Sequence, residues 1–472
     1  MKIALVSPYD YDVPGGVGKH IDFLSRQFRR AGHEVRIIAP GSEDETREDR
    51  DGVYRIGRVT AVPGNGSVAR ITLGVPFKSR LARRVRQVLD AERFDVIHVH
   101  EPLMPSLPLA VLMAGAGSSA KVGTFHAYRE SYYGYYYGRP LLRGMVKRLD
   151  GRIAVSRAAY EFVSRYFPGP YSIIPNGVDL EVFREDVPPI ERYADGRPTI
   201  LFVGRIEKRK GLAYLIRAYS ELRQWVPEVR ILVVGRLGRA GRGYVRYVRE
   251  HDLSGIEFLG EVSAADLPRY YRTCDVFCSP AVKGESFGMV LVEAMALGKP
   301  VVATAIDGYQ TVMQDGVQGR LVPPRDSAAL SLALLDVLQS PEARQRYGDQ
   351  GRVTAHSYSW ERVAARLLRF YDDVCTGKSG SEWSLARALH AAEADSRMAA
   401  LALPERAPLL VHLPSAQPSR RLLWHRRQPA MSGHALASHR SRPGPGRFRD
   451  QHKANRLLPR RLGRGLQQVQ QV

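Results

Sequence analysis

Two glutamates with seven residues between them, Glu285 and Glu293, mark the part of the chain best suited to chemistry. Glu285 lies in Gly284-Glu285-Ser286-Phe287-Gly288, which follows an apolar strand-like run ending at Ser279-Pro280 and precedes a helical pattern from Met289 to Gly298. A strand, a glycine-flanked loop and a helix start leave backbone N–H groups free at the positive end of a helix dipole. That geometry cradles a diphosphate. The spacing puts Glu285 in the loop and Glu293 about two turns into the helix, too far apart for both carboxylates to act on one atom. It suits two hydroxyl-bearing parts of one extended ligand, a sugar and a ribose, with Ser286, Phe287 and Gly288 completing the loop. A second glycine-rich turn, Pro14-Gly15-Gly16-Val17, opens a helix near the N-terminus and lets a ligand approach the backbone there.

These residues are carried by a regular alternation of strands and helices. Strand-like runs span Lys2 to Ser7, Val35 to Ala39, Asp95 to His100, Val122 to Phe125 and Arg152 to Val155, with helical patterns between them. The first of these, Val17 to Ala31, ends at Gly32. The alternation pauses at Pro188-Pro189 and the polar stretch Glu191 to Arg197. It restarts at Thr199 to Gly204 and continues through Val229 to Gly235, Ile256 to Leu259, Asp275 to Ser279 and Pro300 to Thr304. Apolar strands joined by helices are parallel and covered on both faces, so the fold class is α/β, with two Rossmann-like doubly wound domains facing a cleft. The expected domains are residues 1–185, completed by a helix over 358–375, and residues 186–357. Residues 376–472 form a basic tail read as disordered.

Composition bounds the function. The chain has 472 residues, 44% hydrophobic and 25% charged, and a net charge of +22. From Thr376 onward there are 17 Lys+Arg against 5 Asp+Glu, so the tail alone holds much of that excess. Such a field attracts phosphorylated substrates, anionic lipid or nucleic acid. Three cysteines exclude a disulfide framework and are too few for a structural zinc site. No apolar run is long enough to span a bilayer, and Met1 leads straight into a strand, so a cytoplasmic location is expected.

The Glu285-to-Glu293 spacing resembles the signature of retaining glycosyltransferases of the GT-B fold, family 4. Gly204-Arg205 with Lys210-Gly211 is similar to the strand-end arginine and following lysine that bind the donor diphosphate in that family. Pro175-Asn176-Gly177-Val178-Asp179 resembles its interdomain segment. The resemblance runs in consistent order from about Met1 to Tyr371. It implies a nucleotide-sugar donor held by Gly15, Gly16, Arg205, Lys210, Glu285, Ser286, Phe287, Gly288 and Glu293. Arg205 and Lys210 are suited to stabilising the charge that builds on the departing phosphate, without a metal pair. No metal or other cofactor is required in this reading. His126, in Thr124-Phe125-His126, corresponds to a strand-end histidine that contacts the transferred sugar, so the catalytic set is His126, Glu285, Arg205 and Lys210.

Within the family the likeness points to the bacterial phosphatidylinositol mannosyltransferases. Tyr9, Asn65 and Arg70 look like the acceptor-binding residues of those enzymes, which receive an inositol phosphate. The implied reaction moves a hexose, mannose from GDP-mannose by expectation and otherwise from a UDP-sugar, to a membrane lipid. It would take place at the inner face of the cell membrane, with the protein peripheral to it. The stretch from Phe77 to Leu89 sets Phe77, Leu81, Val85, Val88 and Leu89 on one helical arc and Arg80, Arg83, Arg84 and Arg86 opposite, a pattern fit for an anionic lipid surface. The aromatic run Ser131 to Tyr137 departs from the mannosyltransferases and suits either the interfacial region of a bilayer or the cleft. Competing readings are a family member with a soluble or polysaccharide acceptor, an epimerase on the same fold, and a nucleic-acid-binding protein acting through the tail. Nucleic acid is not the expected partner, and the oligomeric state is left open.

Overall fold

The computed structural model describes residues 1–377 except 14, 42–51, 65–66, 73–78, 115–116 and 129–131. The segment from Lys378 to Val472, and with it nearly all of the tail, lies outside the described residues. The first sheet takes β1 (Lys2–Val6), β2 (Glu34–Ala39) and β3 (Val53–Arg55); β4 (Val59–Gly64) and β5 (Ser67–Thr72) form a separate antiparallel hairpin. It continues with β6 (Val96–His100), β7 (Ala120–Phe125), β8 (Gly151–Ala154) and β9 (Ser172–Ile173). All its strands are parallel, in the order β3-β2-β1-β6-β7-β8-β9. The second sheet is built from β10 (Thr199–Val203), β11 (Arg230–Val234), β12 (Ile256–Gly260), β13 (Val276–Ser279), β14 (Val301–Thr304) and β15 (Gly319–Val322). It too is parallel, ordered β12-β11-β10-β13-β14-β15.

Helices cover both faces of the first sheet, because its strands are apolar on both sides. On one face lie α1 (Gly16–Arg30) and, from far along the chain, α13 (Trp360–Cys375); α1 buries Ile21, Leu24 and Phe28 at helical spacing and ends before Gly32 in left-handed conformation. The other face carries α2 (Arg80–Glu92), α3 (Leu107–Met113), α4 (Tyr133–Val146) and α5 (Arg157–Tyr166), whose apolar sides share one core. The second sheet is covered by α6 (Leu212–Leu222), α7 (Arg239–Glu250), α8 (Leu267–Thr273), α9 (Met289–Ala296), α10 (Asp307–Gln310), α11 (Ser327–Gln339) and α12 (Pro341–Ser357). Both sheets are doubly wound, as the alternation of the sequence implies. The hairpin β4–β5 and the short edge strands β3, β9 and β15 are additions that the alternation does not show.

The chain passes between the two sheets twice. Val178, on the first passage, bridges Ser359 on the return, and the Trp360 N–H donates to Val178 O at 3.3 Å. A Cβ on Gly177 would stand 2.4 Å from the Trp360 ring, so the passages touch only because position 177 lacks a side chain. After the return, α13 buries Val363, Leu367, Phe370 and Tyr371 against the first sheet. Each such side chain contributes roughly 1.5–3 kcal/mol, so the last described helix is part of the first sheet's core despite following the second in sequence.

Candidate active site

The donor-side residues gather where the strand order of the second sheet reverses, at the C-terminal ends of β10 and β13. Gly211, with φ +76°, makes this contact possible: a Cβ there would lie 1.7 Å from Pro280 O. The Val282 N–H donates to Arg209 O at 2.8 Å and ties the two loops together. Between them sits a charge cluster. Arg209 Nη1 donates to Glu285 Oε1 at 2.5 Å, and Lys210 Nζ is 2.9 Å from the same oxygen. Arg209 also donates to Gly284 O at 3.1 Å and to Glu207 Oε2 at 2.7 Å, while Arg205 Nη1 lies 3.1 Å from Glu207 Oε1 with half its side chain exposed. Burial opposes the charge on Arg209, yet the Glu285 and Glu207 carboxylates more than compensate and raise its pKa. Three cations against two carboxylates leave the cluster positive, ready for an anion.

Gly288 caps α9 in left-handed conformation, φ +103°, so the loop persists to Gly288 and the helix begins at Met289. Glu293 is therefore just over one turn into the helix, not the two turns expected from spacing. Its Oε2 accepts from Tyr271 Oη at 2.8 Å. Burial raises the Glu293 pKa, against the Tyr271 hydrogen bond and the positive fields of Lys19 and Lys210. Lys19 belongs to α1, so the two halves of the molecule share this electrostatic neighbourhood. The Tyr128 hydroxyl after β7 also donates to Asp307 of α10 at 2.8 Å. Ser286 is partly exposed, whereas Phe287 is buried with its ring 5.4 Å from Tyr358, so Phe287 serves the loop through packing and backbone.

The other side of the site is built from histidines. His126 follows β7, and Glu101 fixes its backbone: one carboxylate oxygen accepts from the N–H groups of His126 and Ala127, each at 2.7 Å. Glu101 itself holds a left-handed φ of +47°. His126 Nε2 is 2.9 Å from His100 Nδ1, and the His20 ring of α1 stands edge-on to His126 at 4.8 Å. His20 Nδ1 meets Asn176 Oδ1 at 2.9 Å, which places its proton on that nitrogen. Behind them His98 bonds Thr124 and Tyr371, each at 2.6 Å. Burial pushes the His20 pKa down to about 4 and that of His98 to about 3, and the His100 and His126 values fall well below the usual imidazole range. At neutral pH the cluster is uncharged. His20, His100 and His126 each offer a ring nitrogen within 4.8 Å of the others, a set of neutral imidazoles that can ligate zinc or copper.

Gly15 and Gly16 start α1, and a Cβ on either would meet nothing closer than 3.9 Å. Neither glycine is needed by the protein's own packing, which leaves free space at the helix start. Tyr9 and Arg70 are brought together by a residue the sequence did not single out, Asp10. Its N–H donates to Arg70 O at 2.8 Å, and its buried carboxylate accepts from Arg70 Nε at 2.7 Å. Asn65 lies outside the described residues, as do Phe77 and Ser131. Arg80, Arg83 and Arg86 are exposed on α2 and Arg84 is partly so, while Leu81, Val85, Val88 and Leu89 face the core. Arg209, Glu101, Asp10, His20 and Asn176 are the contributors that motif reading missed. Only Asn176 carried a signal, through its place in the interdomain segment.

Residues 14–182 match the family model described as Glycosyltransferase Family 4, and residues 183–354 match Glycosyl transferases group 1. The phosphatidyl-myo-inositol mannosyltransferase of Mycolicibacterium smegmatis is 39% identical over 378 residues, covering 79% of this chain and 94% of that protein. The protein of the same name from Mycobacterium leprae is 37% identical over 392 residues, covering 82% and 100%. Among solved structures, the sucrose-phosphate synthase of Thermosynechococcus elongatus superimposes with a TM-score of 0.62 at 22% identity, covering 80% of this chain and 99% of that one. That likeness is one of fold.

Proposed function

The chain belongs to the group 1 and family 4 glycosyltransferases of the GT-B fold and is close to the phosphatidyl-myo-inositol mannosyltransferases; from that premise we propose that it transfers mannose from GDP-mannose to an inositol hydroxyl of phosphatidylinositol, retaining the anomeric configuration. The observation that carries this reading is the Lys210–Glu285 pair, 2.9 Å apart, joining two loops at the N-terminal end of α9. Arg205, Lys210 and the first turn of α9 hold the diphosphate, and the excess positive charge of the cluster offsets the charge that grows as the sugar–phosphate bond breaks. Glu285 and Glu293 accept hydrogen bonds from hydroxyls of the sugar and the ribose. Gly15 and Gly16 give the donor room beside α1.

The acceptor oxygen forms its bond to the anomeric carbon on the face from which the phosphate leaves, and its proton passes to the departing phosphate oxygen. The bond broken is that between the anomeric carbon and the β-phosphate oxygen. His126, neutral because buried, orients the sugar by hydrogen bonding and adds no charge. Tyr9, Asn65 and Arg70 receive the inositol phosphate. Residues 1–185 with 358–375 then form the acceptor domain and residues 186–357 the donor domain. The deciding assay incubates the protein with radiolabelled GDP-mannose, and separately with UDP-sugars, and phosphatidylinositol in detergent micelles. A mannolipid from GDP-mannose is expected; no lipid-linked product from any donor would end this reading.

A further inference from the structure

The outward face of α4 is unlike the rest of the described surface. Tyr132, Tyr133, Tyr136, Tyr137 and Leu141 are all exposed within ten residues, with Tyr133, Tyr137 and Leu141 at 74%, 76% and 69%. The opposite face of the helix buries Tyr135, Leu142, Met145 and Val146, so the exposed rings are not core residues turned the wrong way. They form a surface of their own. Tyr133 and Tyr137, one turn apart, stack with centroids 6.4 Å apart, and Tyr136 stands edge-on to Tyr137 at 5.2 Å.

The charges carried by α4 and the turn after it are of one sign. From Tyr132 to Leu149 there is no Asp or Glu, whereas Arg143, Lys147 and Arg148 are exposed. The helix also shares its layer with α2: α2 packs on α3 and α3 on α4, so the exposed Arg80, Arg83 and Arg86 lie on the same side of the first sheet. Tyrosine has an apolar ring and a polar tip and settles at the headgroup level of a bilayer, while cations beside it meet anionic lipid. The excess of cations on α2 and α4 favours an anionic surface over a neutral protein partner.

We propose that the tyrosine face of α4 is a membrane anchor that seats Tyr133, Tyr137 and Leu141 in the interfacial layer of an anionic bilayer. The anchor rests on the lipid-acceptor reading and extends it, because an enzyme whose acceptor stays in the bilayer must hold its cleft at that depth. α2 supplies charge alone; α4 supplies penetration.

The test uses the full chain and vesicles of phosphatidylcholine and phosphatidylglycerol, without phosphatidylinositol, so that surface binding is read apart from acceptor recognition. A Tyr137→Trp variant is expected to shift its emission to the blue with vesicles and to be quenched by brominated lipid. No shift and no quenching would overturn the proposal, whatever the tail does. The combined Tyr133→Ser, Tyr137→Ser, Leu141→Gln variant should lose roughly tenfold in vesicle partitioning while hydrolysing GDP-mannose in solution as the parent does. Unchanged partitioning would count against the anchor. A dimer in sedimentation velocity that the same variant abolishes, with no vesicle response, would reassign the face to a second copy of the chain. Should phosphatidylinositol in detergent not be mannosylated, the acceptor reading falls while the Tyr137→Trp response to vesicles remains.

Discussion

The two halves of the site solve opposite electrostatic problems. On the second sheet, Arg205, Arg209 and Lys210 each have Glu207 or Glu285 within about 3 Å, and those carboxylates raise the Arg209 pKa. On the first, His20, His98, His100 and His126 lose their charge because burial disfavours the proton, with the neighbouring imidazoles adding to this at His98, His100 and His126. On the reading proposed above, one side receives an anion and the other holds neutral hydroxyls. The difference shows that a polar cleft is not one environment: whether a titratable side chain keeps its charge depends on the partner supplied by the neighbouring loop.

Removing charge from the charged half should have the largest effect. Lys210→Ala is expected to lower kcat/KM by about 10²–10³-fold, the range for losing a donor to developing negative charge. Arg209 still pairs with Glu285 in that variant, so the thermal melt should stay close to the parent's. A rate near the parent's would place the diphosphate elsewhere.

The neutral half should respond to pH instead. The folded His20 pKa is about 4, so between there and about 6.5 the unfolded chain binds a proton that the folded chain refuses. Stability is therefore complete above about pH 6.5 and falls as pH drops toward 4, by about 3 kcal/mol for His20 alone. Urea unfolding of a His20→Gln variant across that range should give a visibly flatter profile. Equal slopes for parent and variant would show that the imidazole is not held neutral.

The smallest effect is expected at Arg70. Its side chain is half exposed although Asp10 is buried, so Arg70→Ala should cost only about 0–1 kcal/mol of stability. It should raise KM for the lipid acceptor while leaving donor affinity alone. A change confined to the donor would remove Arg70 from the acceptor loops.

The charged half was the more legible in sequence. Lys210 and Glu285 stand beside glycines at strand ends, and short-range spacing conveys that placement. Arg209 did not stand out, because in a basic chain an arginine beside a lysine is ordinary until the fold sets Glu207 and Glu285 on either side of it. Beyond His126, which the family resemblance marked, the histidine cluster was nearly invisible: His20, His98 and His100 come from one helix and one strand, and each alone reads as a packed aromatic. The position of Glu293 was misjudged by a turn although α9 starts at Met289 as the pattern implied, because four residues past the start make just over one turn at about 3.6 residues per turn. The sheets were readable since burial on both faces makes strands continuously apolar. The hairpin β4–β5 was not, because neither strand belongs to that apolar series.

The contact of Gly177 with Trp360 has a mechanical corollary. The two crossings of the chain are held side by side there, so any turn of one half against the other would pivot beside this contact. His20 is joined to the crossings through Asn176 and its ring stands edge-on to Trp360, so the histidines sit close to that pivot. A side chain larger than hydrogen at position 177 would wedge the crossings apart, changing how the halves meet without touching either polar cluster.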